Sequence, residues 1–221
     1  LVMLSDGSLA SSSGDQTIKF WNPYTSECHA TLRSHPSSVS ALAVLGVDCL
    51  ASAYDDGTIS IWNLASGSSP TTNEGHAKKV VALAALSDGR LASSISQDCI
   101  IKVWNPDTRA SHDTLQGHAK PVTALAALSD GRLASGSEDG TIKLWDLDKG
   151  ECLVTFEGHS SSVSAVAALS TCCIASASHY LTTNSQGFAT SEFTLKVWNL
   201  HSRKCLLTTK GCSSTVNALT V

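Results

Sequence analysis

Short apolar stretches separated by turn residues recur along the whole chain. In the clearest stretch the pattern predicts strands at 122–128, 132–137, 141–147 and 152–156. Ser129-Asp130-Gly131 marks the first turn, and Asp139-Gly140 is a strong hairpin signal. No window of ten or more residues shows helical periodicity. The pattern therefore predicts an all-β fold.

This pattern repeats about every 40 residues. The five tryptophans are separated by 41, 42, 41 and 53 residues. A similar sequence precedes each of them, as in LASAYDDGTISIWNL and LASGSEDGTIKLWDL. Such a period indicates an array or a propeller. The first strand of each repeat is rich in Ala and Val on both faces, which suits the innermost strand where radial sheets converge. We therefore expect a β-propeller with five visible four-stranded blades.

Composition and charge exclude several classes of protein. The chain is 42% apolar and 15% charged, with a net charge of -4 and a pI near 6.0. Such a composition can bury a core, so we do not expect a disordered tail. No basic stripe for nucleic acid or polybasic patch for anionic lipid is evident, and no nucleic-acid partner is expected. No apolar run reaches the roughly 18 residues of a transmembrane helix, and no membrane insertion is expected.

The start of the chain bears on its extent. Residues 1–7 lack the charged start and apolar centre of a signal peptide. The chain opens on Leu instead of Met, and we expect it to be a fragment of a longer protein.

Eight cysteines are spread along the chain without a CxxC spacing. Cys28, Cys152 and Cys205 each follow a tryptophan by seven residues, so they hold one position of the repeat. We interpret them as reduced, buried, small apolar residues, and not as disulfide partners or metal ligands. This usage is typical of a cytoplasmic or nuclear protein.

The chain resembles the WD40-repeat family. The motif is Gly-His, a strand, and then L-A-S-x-S-x-D-G-T-I-K-x-W-D, seen here as Gly117-His118, 133–137, 139–143 and Trp145-Asp146. The resemblance covers residues 1–221 in five copies, which we take as one domain with repeats centred on Trp21, Trp62, Trp104, Trp145 and Trp198.

The resemblance implies one hydrogen-bonded set of His, Ser, Asp and Trp in each blade. The matching residues are His35, Ser52, Asp56 and Trp62; His76, Ser94, Asp98 and Trp104; His118, Ser135, Asp139 and Trp145; and His159, Ser176 and Trp198. In the third repeat Ser93 competes with Ser94 because one extra residue precedes Asp98. In the fifth repeat Glu192 stands where Asp is expected. In the first repeat Ser11, Asp15 and Trp21 match, and Cys212 takes the His position if the ring closes.

Elementary chemistry supports a structural role for such a set. A buried Asp must be hydrogen-bonded, an imidazole can join a carboxylate to a hydroxyl, and an indole N–H needs an acceptor. A hydrolase triad is the competing interpretation. It is disfavoured because an active site is needed once, whereas this trio recurs, and no serine lies in a G-x-S-x-G elbow. The Gly-His copies lie one repeat apart, which disfavours a metal site.

The resemblance implies a non-catalytic scaffold that presents a loop-rich face to protein or peptide partners, inside the cell. We expect no cofactor, no metal and no small-molecule substrate. The alternative is a regulatory or substrate-recruiting module of a larger enzyme whose catalytic domain lies outside this fragment. The family usually has seven blades, so we expect the natural protein to have more than five. Residues 216–221 would otherwise supply an inner strand missing before Leu9 and close the ring.

The expected partner-binding face carries the Gly-His loops and the Asp turns. Its candidate residues are Lys78, Lys79, Lys120, Asp55, Gln97 and Glu138. The period is 12 residues longer than usual between Trp145 and Trp198, and the excess falls at 179–191. We expect a long uncharged loop there, with Tyr180, Leu181 and Phe188 as further candidate contacts. A tolerated insertion without function is the alternative.

Overall fold

A computed structural model gives the architecture of the chain. It describes residues 1–33, 36–66, 71–73, 76–108, 110–183, 189–212 and 219, with the backbone alone at 72, 73, 111, 112, 181–183, 189–191 and 212. All regular structure in these ranges is β-strand, arranged as five four-stranded antiparallel sheets. The all-β class and the five four-stranded blades are confirmed.

We number the sheets as blades 1 to 5 in chain order. Blade 1 contains β1 (Val2–Met3), β2 (Leu9–Ser12), β3 (Ile18–Trp21) and β4 (Cys28–Leu32). Blade 2 contains β5 (Val39–Val44), β6 (Cys49–Tyr54), β7 (Ile59–Asn63) and β8 (Thr71–Asn73). Blade 3 contains β9 (Val80–Ala85), β10 (Leu91–Ile95), β11 (Ile100–Trp104) and β12 (Ser111–Gln116). Blade 4 contains β13 (Val122–Ala127), β14 (Leu133–Ser137), β15 (Ile142–Asp146) and β16 (Glu151–Phe156). Blade 5 contains β17 (Val163–Ser170), β18 (Cys173–Thr183), β19 (Ala189–Asn199) and β20 (Lys204–Cys212).

Consecutive blades pack face to face. The first strands touch in series, β1 on β5, β5 on β9, β9 on β13 and β13 on β17, so they lie together at the centre. Each apolar cluster of the described residues draws its members from two neighbouring blades. The tryptophan of each of blades 2 to 5 lies in the cluster shared with the preceding blade. The core is therefore built between the facing sheets of consecutive blades.

Small residues allow the blades to converge near the centre. Gly136 in β14 faces β17, and a Cβ added there would lie 2.5 Å from Cγ1 of Val163. The Thr123 hydroxyl donates a hydrogen bond to the carbonyl of Val163 in the next blade. The inner strands therefore lie too close for larger side chains at such positions.

The inner strand of blade 1 corrects one sequence prediction. Val2–Met3 pairs with β2, with Val2 opposite Ala10 and Met3 opposite Leu9. The strand before Leu9 is therefore not missing, and residues 216–221 are not needed to supply it. Of those residues only 219 is described. Trp21 is half-buried, whereas the tryptophans of the other four blades are 1–5% exposed.

Candidate functional site

One end of the blades carries both the Gly-His loops and the turns between second and third strands; we call it the His–Asp face. Within a blade the two loops are hydrogen-bonded, as when the Glu138 amide donates to the Pro121 carbonyl at 3.0 Å. Between blades they also meet, because the His76 amide donates to the Gly57 carbonyl at 2.8 Å. These bonds join loops of neighbouring blades into one continuous surface.

Blade 4 contains a complete His–Ser–Asp–Trp set. The Trp145 indole N–H donates to Oγ of Ser135 at 2.8 Å, and that oxygen lies 2.7 Å from Nε2 of His118. Nδ1 of His118 lies 3.0 Å from Oδ2 of Asp139. Because a carboxylate only accepts, Nδ1 is the donor and Nε2 accepts from the Ser135 hydroxyl. The chain of bonds ties the loop, two strands and the turn together.

The turn also stabilises the carboxylate directly. Burial alone would raise the pKa of Asp139, but hydrogen bonds from the Thr141 hydroxyl and the Ala119 amide outweigh it, and the pKa falls to about 2. Burial lowers the pKa of His118 despite the opposing effect of Asp139. Ser135 is fully buried. Its hydroxyl therefore faces structural partners and is closed to an external substrate.

The His–Ser–Asp–Trp set of blade 3 differs from the prediction at two residues, the serine and the aspartate. Nε2 of His76 lies 2.6 Å from Oγ of Ser93, and the Trp104 indole donates to the same oxygen at 2.6 Å. Ser94, the predicted member, is buried, and its hydroxyl has no partner among the described residues. The register explains the choice: Ser93 pairs with Lys102 as Ser135 pairs with Lys143 in blade 4.

Asp98 does not complete the blade 3 set. It is exposed, and Nδ1 of His76 has no hydrogen-bond partner among the described residues. The extra residue in this turn moves the carboxylate away from the imidazole. Burial, with a smaller contribution from Lys102, lowers the pKa of His76 to about 4.

Blade 5 has the imidazole, hydroxyl and indole of the set without the carboxylate. Nε2 of His159 lies 2.7 Å from Oγ of Ser176, which accepts the Trp198 indole N–H at 2.8 Å. Glu192 instead accepts the Tyr180 hydroxyl at 2.6 Å. Burial, followed by the Lys196 charge, lowers the pKa of His159 to about 4.

Blade 2 is described in part. The Trp62 indole donates to Oγ of Ser52 at 2.8 Å, and that hydroxyl donates to Tyr54 at 2.8 Å. The carboxylate of Asp56 accepts the amide and hydroxyl of Thr58. His35 lies outside the described residues. Sequence reasoning missed Tyr54, although a fully buried Tyr needs a partner for its hydroxyl.

Blade 1 shows the indole–hydroxyl bond in a more open setting. The Trp21 indole donates to Oγ of Ser11 at 2.8 Å, and Asp15 accepts the amide and hydroxyl of Thr17. Cys212, the residue aligned with the His position, is the last residue of β20 and lies opposite Glu192.

The six charged or polar candidate contacts are all exposed at the His–Asp face. Lys79 forms a 2.9 Å ion pair with Asp55 of blade 2, and Lys78 donates to Gln97 at 2.5 Å. Lys120 and Glu138 belong to the loop and turn of blade 4. The face therefore presents polar side chains on a backbone that the buried sets hold in place.

The predicted long loop at 179–191 is wrong over most of its length. β18 and β19 stay paired from Cys173 opposite Asn199 to Thr183 opposite Ala189, forming an extended hairpin. Tyr180 and Leu181 lie on β18, with the Leu181 side chain outside the description, and Phe188 is outside the described residues. The signal was in the sequence, since β-branched Thr residues recur through the insertion.

The predicted burial of three cysteines is also wrong. Cys28, Cys152 and Cys205 lie exposed on the fourth strands, where their side chains point to solvent. Each sulfur approaches the hydroxyl of the Thr three residues later, at 3.7, 3.8 and 3.4 Å. The three cysteines share one position of the repeat because each lies on the fourth strand, which is the outer edge of its sheet.

A second cluster lies at the opposite end of the blades and was missed. Ser-Asp-Gly-Arg occurs at 87–90 and again at 129–132, and in each copy the Asp carboxylate binds the Arg side chain, Asp88 with Arg90 at 2.6 Å and Asp130 with Arg132 at 2.6 Å. Arg90 also lines a cavity of about 430 Å³ between blades 2 and 3. The repeated Ser-Asp-Gly-Arg motif was the feature of the sequence that could have predicted this cluster.

In the ranges given above, no group of three or more His, Cys, Asp or Glu side chains could hold a metal ion. Within that same part of the chain, no helix has the length and apolar character needed to cross a membrane.

Comparison with known families assigns the class of protein. The family described as WD domain, G-beta repeat matches residues 1–22, 26–63, 67–105, 110–146 and 150–199, and each match contains one of the five tryptophans. The chain belongs to the WD40-repeat family. WD40 repeats generally mediate protein–protein interactions, and WD40 domains are typically non-catalytic scaffolds. No curated protein matched the chain.

Proposed function

We propose that residues 1–221 form one WD40 unit that acts as a non-catalytic scaffold and binds protein or peptide partners through its His–Asp face. The observation that carries the proposal is the contrast between the buried sets and the exposed turns. In blade 4, Asp139 is fixed by four hydrogen bonds while its neighbour Glu138 is exposed.

A rigid backbone with exposed side chains favours recognition. Turn residues that do not serve the fold are free to contact a partner, and ordering them costs little additional entropy because the backbone is already fixed. The same arrangement disfavours catalysis by the His–Ser–Asp groups, since the serine hydroxyl is enclosed. We place such a scaffold inside the cell, where its exposed thiols would stay reduced.

Charge reversal on the face tests the proposal. The double variant Lys79→Glu, Lys120→Glu changes two exposed lysines on neighbouring blades. A charge-matched control reverses Lys149, in the turn between β15 and β16, and Lys204, the first residue of β20, both exposed at the opposite end. Surface changes of this kind are expected to alter stability by less than about 1 kcal/mol.

The measurement is quantitative recovery of partners from cell extract by each immobilised protein. We expect the wild type and the control to recover the same set of proteins and the Lys79, Lys120 variant to lose it. If the control loses the set and the face variant keeps it, the binding surface lies at the opposite end and the proposal is wrong.

A further inference from the structure

The imidazole of blade 5 holds the same place as the imidazole of blade 4. The His159–Ser176–Trp198 contacts of 2.7 and 2.8 Å repeat those of blade 4. Nδ1 of His159 holds the place of Nδ1 of His118, which the Asp139 carboxylate fixes as the donor. Among the described residues that atom has no hydrogen-bond partner. An acceptor brought to this nitrogen would fix the same tautomer as in His118 and satisfy the buried atom.

A second unfilled group lies in the same part of blade 5. Ser178 is 1% exposed, and its hydroxyl has no partner among the described residues. It holds the register position of Ser137, since Val163 pairs with Ser178 as Val122 pairs with Ser137. In blade 4, Ser137 accepts the amide N–H of Asp139 at 3.1 Å.

Both unfilled groups therefore match contacts that Asp139 makes in blade 4. In blade 4 the Asp139 carboxylate accepts the Nδ1–H of His118, and the Asp139 amide N–H donates to the Ser137 hydroxyl. At the place of that turn in blade 5, β18 and β19 stay paired, with His179 opposite Phe193 and Tyr180 opposite Glu192. Glu192, four residues before Lys196 as Asp139 is before Lys143, is held by the Tyr180 hydroxyl.

The local charge also favours an anion. The positive charge of Lys196 contributes to the lowered pKa of His159. Its Nζ lies 5.8 Å from the centre of the Trp198 ring. A carboxylate placed between the imidazole and this ammonium group would gain charge-assisted hydrogen bonding in a partly desolvated setting.

We propose that an acidic side chain of a protein partner enters blade 5 at the His–Asp face and accepts the Nδ1–H of His159. It completes blade 5 as Asp139 completes blade 4. This inference rests on the proposed function, because it specifies one contact made at the same face.

The test begins with a phage-displayed library of random twelve-residue peptides selected on the intact protein. We expect the enriched peptides to share an Asp or Glu. Replacing that residue by Asn or Gln in a synthetic peptide is expected to weaken binding, measured by fluorescence anisotropy, by about tenfold or more.

Two protein variants locate the contact. In the first, residues 179–193 are replaced by Glu-Asp-Gly, the turn of blade 4, which supplies the carboxylate within the chain. In the second, His159→Phe removes the donor and keeps a ring. Circular dichroism establishes that each variant is folded. In either variant the acidic peptide and its amide version are expected to bind equally.

The outcomes separate this inference from the proposed function. Enriched peptides without an acidic residue, or acid and amide versions that bind the wild type equally, overturn the inference alone. So does an acidic preference that both blade 5 variants retain but the Lys79, Lys120 variant loses. Failure to select any peptide, together with unchanged recovery of partners by the charge-reversed face, overturns both.

Discussion

The carboxylate of Asp139 lies 3.0 Å from Nδ1 of His118, whereas Asp98 of blade 3 leaves Nδ1 of His76 without a partner in the described part of the chain. The two aspartates occupy equivalent places in the sequence motif. One holds a turn against a loop, and the other points to solvent. The motif alone therefore does not decide the role of its aspartate.

Asp139→Ala and Asp98→Ala are expected to differ in their effect on stability. Loss of Asp139 leaves a buried imidazole donor unsatisfied, which costs roughly 1–3 kcal/mol in the free energy of unfolding. Loss of the exposed Asp98 is expected to change that free energy by less than about 0.5 kcal/mol. Urea unfolding of both variants measures the difference, and equal destabilisation would contradict the structural assignment.

The serine pair in blade 3 gives a second matched comparison. Ser93→Ala removes the acceptor of the Trp104 indole and the partner of His76, so we expect a loss of roughly 1–3 kcal/mol. Ser94→Ala removes a buried hydroxyl that has no partner in the described part of the chain, so we expect no loss or a small gain. Thermal melting of the two variants decides the point. A greater loss at Ser94 would restore the original motif assignment.

The sequence predicted the blades well because the hydrophobic pattern and the turn residues recur five times. It placed Ser135, Asp139 and Trp145 correctly, since blade 4 keeps the motif length. It failed at Ser94 and Asp98 because one inserted residue changes the register, and strand pairing decides which serine faces the indole. It failed at 179–191 because the length and polar composition of the insertion predict a loop, although strand pairing can continue through an insertion.

Imidazoles with depressed pKa values make stability depend on pH. His76 and His159 have folded pKa values of about 4, against an ordinary value of 6.5. As pH falls from 6.5 toward 4, the unfolded chain takes up protons that the folded chain does not. Each site is then expected to destabilise the fold by up to roughly 3 kcal/mol, with no further loss from these groups below pH 4.

Urea unfolding between pH 7.5 and 4 measures this dependence. His159→Gln should reduce the fall in stability across the window, whatever its effect at neutral pH. His201→Gln, a change at an exposed turn, is the substitution control. An unchanged pH profile in the His159 variant would show that this imidazole is not the source of the effect.

Gly57 and Gly89 test the contact between neighbouring blades. Both have positive φ values, +92° and +88°, so alanine is expected to cost about 1 kcal/mol or more at either position. At Gly57 the added Cβ would also lie 2.1 Å from the His76 carbonyl oxygen, whereas at Gly89 it meets no atom within 4 Å of the described structure. We expect Gly57→Ala to be at least about 2 kcal/mol more destabilising in denaturant unfolding. Equal losses of stability in the two variants would contradict the close approach of Gly57 to the His76 carbonyl.

Three thiols lie on the outer surface of the propeller, on the fourth strands of blades 1, 4 and 5. Because the fourth strand is farthest from the central strands, a spectroscopic label on any of these cysteines reports on the circumference. With the other cysteines replaced by serine, the distance between labels on Cys152 and Cys205 spans one blade interface. The distance between labels on Cys28 and Cys205 measures the separation of the first and last blades in solution. The exposed cysteines thus allow the separation of blades 1 and 5 to be measured by spectroscopy.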